Sequence, residues 1–223
     1  MRMHVEALYG HGDRSRVESI NDWRGGIAPR FYLGRTNEGN LWRFRSDLQD
    51  EVCEELEGLC NDEPSITTEA PRHRDEYVRI LSRSAPVESV WTGPAYWFSQ
   101  EIASTYETLA INQSNAHLLR NGLEDWVPDV SHQQPFMAVI ENGHAVSVCA
   151  SVRITKAAHE AGVETVQSHR RRGHALQVVL SWAHAVKTLG AIPLYSTSDE
   201  NLASQSVAAR LNLPMYGVDF HVS

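Results

Sequence analysis

The sequence predicts an α+β fold in which helices flank a mixed, mostly antiparallel sheet. Phe136–Ile140 and Ala145–Ile154 flank an Asn-Gly pair, which is the strongest short-range signal for a β-hairpin. From this hairpin onward the pattern runs strand, strand, strand, helix, strand, helix, strand. A strand-helix-strand passage requires a parallel pair, because the connection must cross over the sheet. We therefore expect one parallel pair within an otherwise antiparallel sheet.

The chain is predicted to divide into an N-terminal extension, residues 1–87, and a main domain, residues 88–223. Residues 1–30 show no usable periodicity and are expected to form loop or a loosely packed extension. Residues 31–33 and 41–44 flank turn-forming residues and predict a hairpin. A helix is expected next, with Ser46 and Gln49 as a capping box and an apolar face at Leu48, Val52, Leu56 and Leu59.

Between these elements and the second hairpin the pattern is weaker. Three prolines, Pro64, Pro71 and Pro86, predict a polar connection. Residues 90–98 predict a strand that is broken or bulged at Gly93-Pro94. After Asn115 we expect a helix whose apolar side chains are Leu118, Leu119, Leu123 and Trp126. The aromatic residues of this part are read either as core or as an acceptor platform: Trp91, Tyr96, Trp97 and Trp126.

The C-terminal part begins with the second arm of the Asn-Gly hairpin, which alternates with period two, as a sheet with two different faces does. A short strand at 161–166 leads through an arginine-rich turn into a helix that Gly190 is predicted to end. A strand at 192–196, a helix capped by Asp199 or Asn201, and a strand at 216–222 complete the predicted order.

Composition restricts the function. The 223 residues carry a formal net charge of −8, which argues against a general nucleic-acid binder and favours a cationic or neutral substrate. No apolar run is long enough to cross a bilayer, and the N-terminus lacks a signal-peptide pattern, so we expect a cytoplasmic protein without a membrane partner. The three cysteines are read as reduced core residues, and the histidines show no metal-ligand spacing, so no metal is expected.

The arginine-rich turn, residues 170–175, predicts an anion site. Backbone N–H groups at the start of a helix have no intrahelical partner, and the helix dipole adds to their attraction for an anion. Gly173 leaves room where the backbone approaches a phosphate, and Ala175 keeps the start of the helix narrow. On an acidic protein, such a local basic patch fits one small polyphosphate better than a nucleic-acid backbone.

These features together resemble the GNAT superfamily of acyl-coenzyme A-dependent N-acyltransferases. Its signature is Arg/Gln-x-x-Gly-x-Gly/Ala, which residues 170–175 match at every specified position. The hairpin at 136–154 resembles the second and third strands of the family. Residues 196–205 resemble its fifth strand and the helix after it, including an Asn-x-x-Ala/Ser pattern at Asn201 and Ser204. The resemblance covers roughly residues 88 to 223.

The resemblance implies a place for acetyl-CoA. The diphosphate would bind at the turn, through Arg170, Arg171, Arg172, Gly173, His174 and Ala175. The pantetheine arm would pair with the strand before the turn, and the thioester carbonyl would lie there too, at Thr165, Val166 and Gln167. Asn201 and Ser204 would contact the arm from the other side. Homodimers are common in the family, so the resemblance also offers a homodimer as a candidate assembly.

Acyl transfer to an amine needs a base for the amine proton and an acid for the leaving thiolate. Glu164 and Glu160 share one side of a regular strand, and Glu164 is the first candidate base because it is nearer the expected thioester. His169, nearer the diphosphate, is the third. The family often has a tyrosine acid seven residues after the asparagine, where this chain has Ala208. The remaining candidate acids are water, Ser204, Tyr195 and Tyr216.

The resulting hypothesis is an N-acetyltransferase that moves an acetyl group from acetyl-CoA to a primary amine of a small molecule in a ternary complex. The missing tyrosine supports an alternative, a non-catalytic acyl-CoA sensor or scaffold with the same fold. A toxin-type enzyme that acetylates aminoacyl-tRNA is disfavoured by the net charge of −8. The acceptor is not specified by any motif, and the extension is the expected source of specificity.

Overall fold

The computed structural model describes residues 1–65, 70–99 and 107–223. Its α-helices are α1 (Arg2–Leu8), α2 (Asp50–Asp62), α3 (Arg74–Leu81), α4 (His174–Thr188) and α5 (Leu202–Arg210). Its strands are β1 (Tyr9–His11), β2 (Val17–Ile20), β3 (Phe31–Thr36), β4 (Gly39–Phe44), β5 (Val90–Trp97), β6 (Leu109–Ala110), β7 (Phe136–Glu141), β8 (His144–Ile154), β9 (Ala158–Thr165), β10 (Ile192–Ser196) and β11 (Met215–Val222). None of the helices in these described ranges has both the length and the apolar character of a membrane span.

Internal contacts divide the chain into two compact units. The first unit contains Met1–Tyr96, Ser196–Gln205 and Met215–Ser223, and the second contains Trp97–Tyr195 and Ser206–Pro214. The predicted boundary between residues 87 and 88 falls inside the first unit, which also takes in two segments from the C-terminal part. The division into an N-terminal extension and a catalytic domain concerns function, and it stays a prediction.

The first unit has its strands in the order β4, β3, β11, β5, all antiparallel. One face of these strands packs on α2 and α3 around an aromatic cluster in which Phe31 contacts Tyr77, Phe44 and Phe220. A smaller apolar cluster, including Val5 and Tyr9, joins α1 and the β1–β2 pair to Tyr32 of β3.

The second unit has its strands in the order β10, β9, β8, β7, β6. The pairs β6–β7, β7–β8 and β8–β9 are antiparallel, whereas β9 and β10 are parallel. Helix α4 connects the parallel strands and packs on β7, β8 and β9. The α+β class, the mostly antiparallel pairing, the parallel pair and the Asn-Gly hairpin are all confirmed.

The prediction of loop for residues 1–30 is wrong. Helix α1 and the β1–β2 pair lie in this segment, with Val5, Ala7 and Val17 fully buried. These elements are only three to seven residues long, so they present too few turns or alternations for periodicity to register. Their stability comes from tertiary packing, which a local pattern does not report.

The predicted capping box is also wrong, although the helix itself is confirmed. Helix α2 begins at Asp50 after Gln49, and no side chain caps it; Asp50 and Glu51 instead place negative charge near its positive end. The predicted polar connection after it contains α3, which buries Tyr77. Residues 66–69 of that connection lie outside the described residues, as do residues 100–106.

The single α-helix expected after Asn115 is replaced by two short 3₁₀ helices, Ala116–Leu119 and Glu124–Asp129. Between them Asn121 and Gly122 have φ values of 67° and 115°, which a continuous right-handed helix does not allow. The strand expected to break at Gly93-Pro94 is continuous as β5, and its register shift lies opposite Met215 and Gly217 of β11. Strand β9 begins at Ala158, three residues earlier than predicted.

Candidate functional site

The parallel strands of the second unit separate after three residue pairs. Ala158, His159 and Glu160 of β9 pair with residues 192–194 of β10, and beyond Glu160 the two strands are not paired within the described residues. On its other side β9 stays paired with β8 as far as Thr165. Residues 161–165 therefore have one open edge, where an extended ligand can form strand-like hydrogen bonds.

The turn that follows β9 presents a row of backbone N–H groups. A 3₁₀ segment, Gln167–His169, leads to Arg171 with φ 63° and to Gly173 with φ 89°, directly before α4. No hydrogen bond among the described residues uses the N–H groups of residues 171–175. Five unbonded amides at the start of a 15-residue helix form a site for an anion such as a phosphate.

The cationic side chains of the turn are partly engaged within it. Arg170 Nε donates to the Thr165 carbonyl at 3.2 Å, and Arg172 Nη2 donates to the Ser168 carbonyl at 3.2 Å. All three arginines, Arg170–Arg172, are exposed, so the turn carries positive charge on its solvent side. These bonds hold two of the guanidinium groups beside the backbone amides instead of leaving them in solvent.

One carboxylate, Glu141 at the end of β7, lies against this turn. Its oxygens are 3.0 Å from His174 Nε2, 3.5 Å from His169 Nε2 and 3.6 Å from Arg172 Nη1. The His174 contact has the distance of an ion pair without the direction of a hydrogen bond. The described residues contain no group of three or more side chains arranged to hold a metal ion. Glu141 therefore competes with an incoming anion for the Arg172 guanidinium.

The two candidate bases lie on one face of β9 with Gly162 between them. Strand β9 is regular, because the extra residue at the β8–β9 register shift belongs to β8. Glu160 is buried, with 3% of its surface exposed, whereas Glu164 is exposed. Glu164 Oε2 accepts a hydrogen bond of 2.6 Å from the indole N–H of Trp126. Glu164 is thus the candidate that is both fixed and open to solvent.

The opposite face of β9 is closed by α4. His159 Nδ1 lies 2.9 Å from the Ser151 hydroxyl, which accepts the indole N–H of Trp182 at 2.9 Å. All three side chains are buried, and burial lowers the pKa of His159. This network anchors the strand to the helix and leaves both carboxylates on the opposite face, where only Glu164 is exposed.

Comparison with solved structures decides the fold. A GCN5-related N-acetyltransferase-like protein from Streptococcus suis aligns over 99% of this chain and 98% of its own, with a TM-score of 0.51 and 14% identity. A GNAT-family acetyltransferase from Colwellia psychrerythraea aligns over 96% and 84%, with a TM-score of 0.51 and 12% identity. A GNAT-family structure from Novosphingobium aromaticivorans has a TM-score of 0.52 and 14% identity, covering 61% of this chain and 65% of its own.

The chain has the GNAT fold. At these identities the likeness concerns the fold alone. The sequence matches no protein-family model and no curated protein. In this GNAT fold the signature at residues 170–175 forms the turn before α4. This turn and α4 connect the parallel strands β9 and β10.

Other predicted site residues are placed as follows. In the first unit Asn201 caps α5, since its Oδ1 accepts the Ser204 N–H at 3.0 Å. Thr165 and Val166 are both hydrogen-bonded to β8. The Thr165 hydroxyl lies 2.8 Å from the Ser147 hydroxyl, and the Val166 N–H donates to the Val146 carbonyl at 3.0 Å. Gln167 is exposed at the start of the turn.

The candidate acids differ in access to solvent. Tyr195 is 2% exposed, while Tyr216 and Ser204 are partly buried. Ala208, at the position of the family's tyrosine, is fully buried and has no proton to give.

Sequence reasoning missed the parts of the site that come from distant segments. Trp126 was read as core or platform, and its bond to Glu164 spans 38 positions. No sequence motif included Glu141 or Gly162. The signal that could have found Gly162 is its place between two glutamates in a strand, where glycine is unfavourable and indicates that another group approaches closely.

Proposed function

We propose that this protein is an acetyl-CoA-dependent N-acetyltransferase that acetylates a primary amine of a small molecule by direct transfer. The observation that carries the proposal is the turn at residues 171–175, where five unbonded amides follow a strand with one open edge. An acyl-CoA has the matching parts, a diphosphate for the amides and an extended pantetheine for the strand edge. The structural likeness to GNAT acetyltransferases supports the same class of reaction.

The co-substrate would be held mainly by backbone. The amides of residues 171–175 would bind the diphosphate, with Arg170–Arg172 adding positive charge, and residues 161–167 would offer the edge for the pantetheine. Asn201 and Ser204 remain the residues that the family pattern assigns to the arm. His174 would contribute its amide, with its ring turned to Glu141.

In the transfer step the amine nitrogen forms a bond to the thioester carbonyl carbon and loses a proton, while the carbon–sulfur bond breaks and the thiolate gains one. Glu164 would take the amine proton directly or through water, since it is exposed and fixed. Glu160 is the second candidate base. The thiolate would be protonated by water or by Ser204, Tyr195 or Tyr216, because Ala208 has no proton to give.

Calorimetric titration with acetyl-CoA tests the cofactor part of the proposal, and thiol release across a panel of primary amines tests transfer. We expect saturable binding and amine-dependent thiol release, with acetylated product identified by mass. Absence of binding at millimolar acetyl-CoA would contradict the proposal.

The fully buried Ala208 supports one other function, a non-catalytic acyl-CoA-binding protein. This alternative predicts acetyl-CoA binding without thiol release for any amine. In that case substitution of Glu164 by glutamine would leave acetyl-CoA binding unchanged and there would be no turnover to lose, whereas the enzyme would lose turnover and keep binding.

A further inference from the structure

The contact between Trp126 and Glu164 joins a neutral hydrogen-bond donor to an exposed carboxylate. The indole N–H is a neutral donor, so it orients the carboxylate at 2.6 Å without cancelling its charge. Among the described residues no lysine, arginine or histidine forms an ion pair with Glu164, and no hydrogen bond uses its Oε1. The result is an exposed, oriented carboxylate with one oxygen available.

The position of the indole depends on Gly162. A Cβ at residue 162 would lie 3.1 Å from Cη2 of Trp126 and would overlap Val152 Cγ1. Gly162 therefore leaves no room for a side chain, because Val152 and the edge of the indole already occupy the space between the two glutamates. Phe136 packs edge-on against the same ring, with centroids 5.6 Å apart.

The loop that carries Trp126 is itself fixed. Glu124 accepts the backbone N–H groups of Asn121 and Gly122 at 2.6 and 2.8 Å, and the Trp126 N–H bonds to the Leu123 carbonyl at 3.1 Å. Hydrogen bonds from its own backbone N–H and from those of Gly122 and Asn121 lower the pKa of Glu124, so its carboxylate stays ionised and keeps the loop closed at neutral pH. A fixed loop can hold the indole N–H at a constant distance from Glu164.

We propose that Trp126 is a positioning residue for Glu164, and that the indole and the oriented carboxylate form the subsite for the ammonium group of the acceptor. The inference rests on the proposed function and names its substrate class, a primary amine that arrives as a cation. The ammonium would bind Oε1 of Glu164 and pass its first proton to solvent water, and Glu164 would then take the second proton as the neutral amine attacks the thioester.

The first test needs neither acetyl-CoA nor an acceptor. The emission of Trp126 is taken as the difference between the wild-type protein and Trp126→Phe, and it is titrated from pH 8 to pH 3. We expect it to change with protonation of Glu164 and to lose that change in Glu164→Gln. The other ionisable groups on these two elements are His159 and Glu160 of β9 and Glu124, Asp125 and Asp129 of the 3₁₀ helix, so the titration is repeated in Glu160→Gln and in His159→Gln. A signal that does not titrate, or that titrates equally in Glu164→Gln, would overturn the inference.

The second test uses butylammonium chloride against sodium chloride at equal ionic strength. We expect butylammonium to change the Trp126 emission in the wild-type protein and not in Glu164→Gln. Equal responses to the two salts would contradict the ammonium subsite. Acetyl-CoA binding does not enter either measurement, so failure here and failure of the proposed function are separate results.

Kinetics then separate positioning from a structural role. Trp126→Phe keeps a ring over Gly162 and deletes the N–H; we expect kcat/KM to fall about tenfold or more and its pH profile to change, with acetyl-CoA affinity within about twofold. Trp23→Phe makes the same change at an exposed tryptophan of the first unit and serves as the control. Gly162→Ala should lower kcat/KM because it displaces the indole. A loss of thermal stability in Trp126→Phe with an unchanged pH profile would overturn the positioning role.

Discussion

The turn before α4 and the carboxylate face of β9 are neighbours in the chain, yet they are constructed differently. The turn obtains its anion site from backbone groups within a few residues, through positive φ values at Arg171 and Gly173 and the start of a helix. The carboxylate face depends on Trp126, which lies 38 positions from Glu164. The comparison teaches that the anion site of the turn is encoded locally, whereas the orientation of the Glu164 carboxylate is a tertiary property.

The largest effect is expected on the carboxylate face. Glu164→Gln removes the proton acceptor but keeps the shape and a hydrogen-bond acceptor for Trp126. We expect turnover to fall by about 10²–10⁴-fold, the usual contribution of a general base, with acetyl-CoA affinity unchanged. Steady-state thiol release and calorimetry measure the two quantities. Glu160→Gln is the matched variant on the same face; if it costs more turnover than Glu164→Gln, the two roles are exchanged.

A smaller but still large effect is expected in the turn. Gly173→Asp places a negative charge where the diphosphate would bind, and we expect acetyl-CoA affinity to fall on the order of 100-fold after screening by solvent. Gly190→Asp is the matched control, because Gly190 has φ 80°, close to the 89° of Gly173, and lies at the other end of α4. A Cβ meets nothing within 4 Å at either glycine, so both variants pay a similar backbone cost. Equal losses of affinity in the two variants would contradict a diphosphate site at the turn.

Glu141 connects the turn to the rest of the second unit, and its neutralisation should strengthen co-substrate binding slightly. Glu141→Gln removes the negative charge that His169, Arg172 and His174 now face. We expect acetyl-CoA to bind about two- to fivefold more tightly at low salt and less so at high salt, as for other exposed ion pairs. Glu54→Gln, on α2 of the first unit, controls for net charge. Weaker binding in Glu141→Gln would indicate that Glu141 organises the turn instead of competing for its cations.

The smallest effect concerns stability on the α4 side of β9. Burial lowers the pKa of His159 below its ordinary value of about 6.5, so the unfolded chain takes up the proton first as the pH falls. The unfolding free energy should therefore be intact above about pH 7 and should decrease from there toward the folded-state pKa. Urea midpoints between pH 7.5 and 5 should fall less steeply in His159→Gln than in the wild-type protein. His117→Gln, at an exposed histidine, should leave the slope unchanged.

The accuracy of the sequence predictions follows the range of the interactions involved. The Asn-Gly hairpin, the parallel pair and the end of α4 at Gly190 are set by turn chemistry and by connection rules, and all are confirmed. The wrong predictions fall where packing decides. Helix α1 is held by the cluster around Val5 and Tyr9, and two positive φ values interrupt the helix expected after Asn115.

The sequence by itself determined the α+β class, the order of the C-terminal elements and the anion turn, because glycine positions, alternation and helix periodicity are local properties of the chain. Only the tertiary structure decided which carboxylate is accessible, since alternation along β9 treats Glu160 and Glu164 alike and only packing buries the first. It also decided that Trp126 holds Glu164 and that Glu141 lies against the turn, because contacts between distant segments leave no periodic trace in a single sequence.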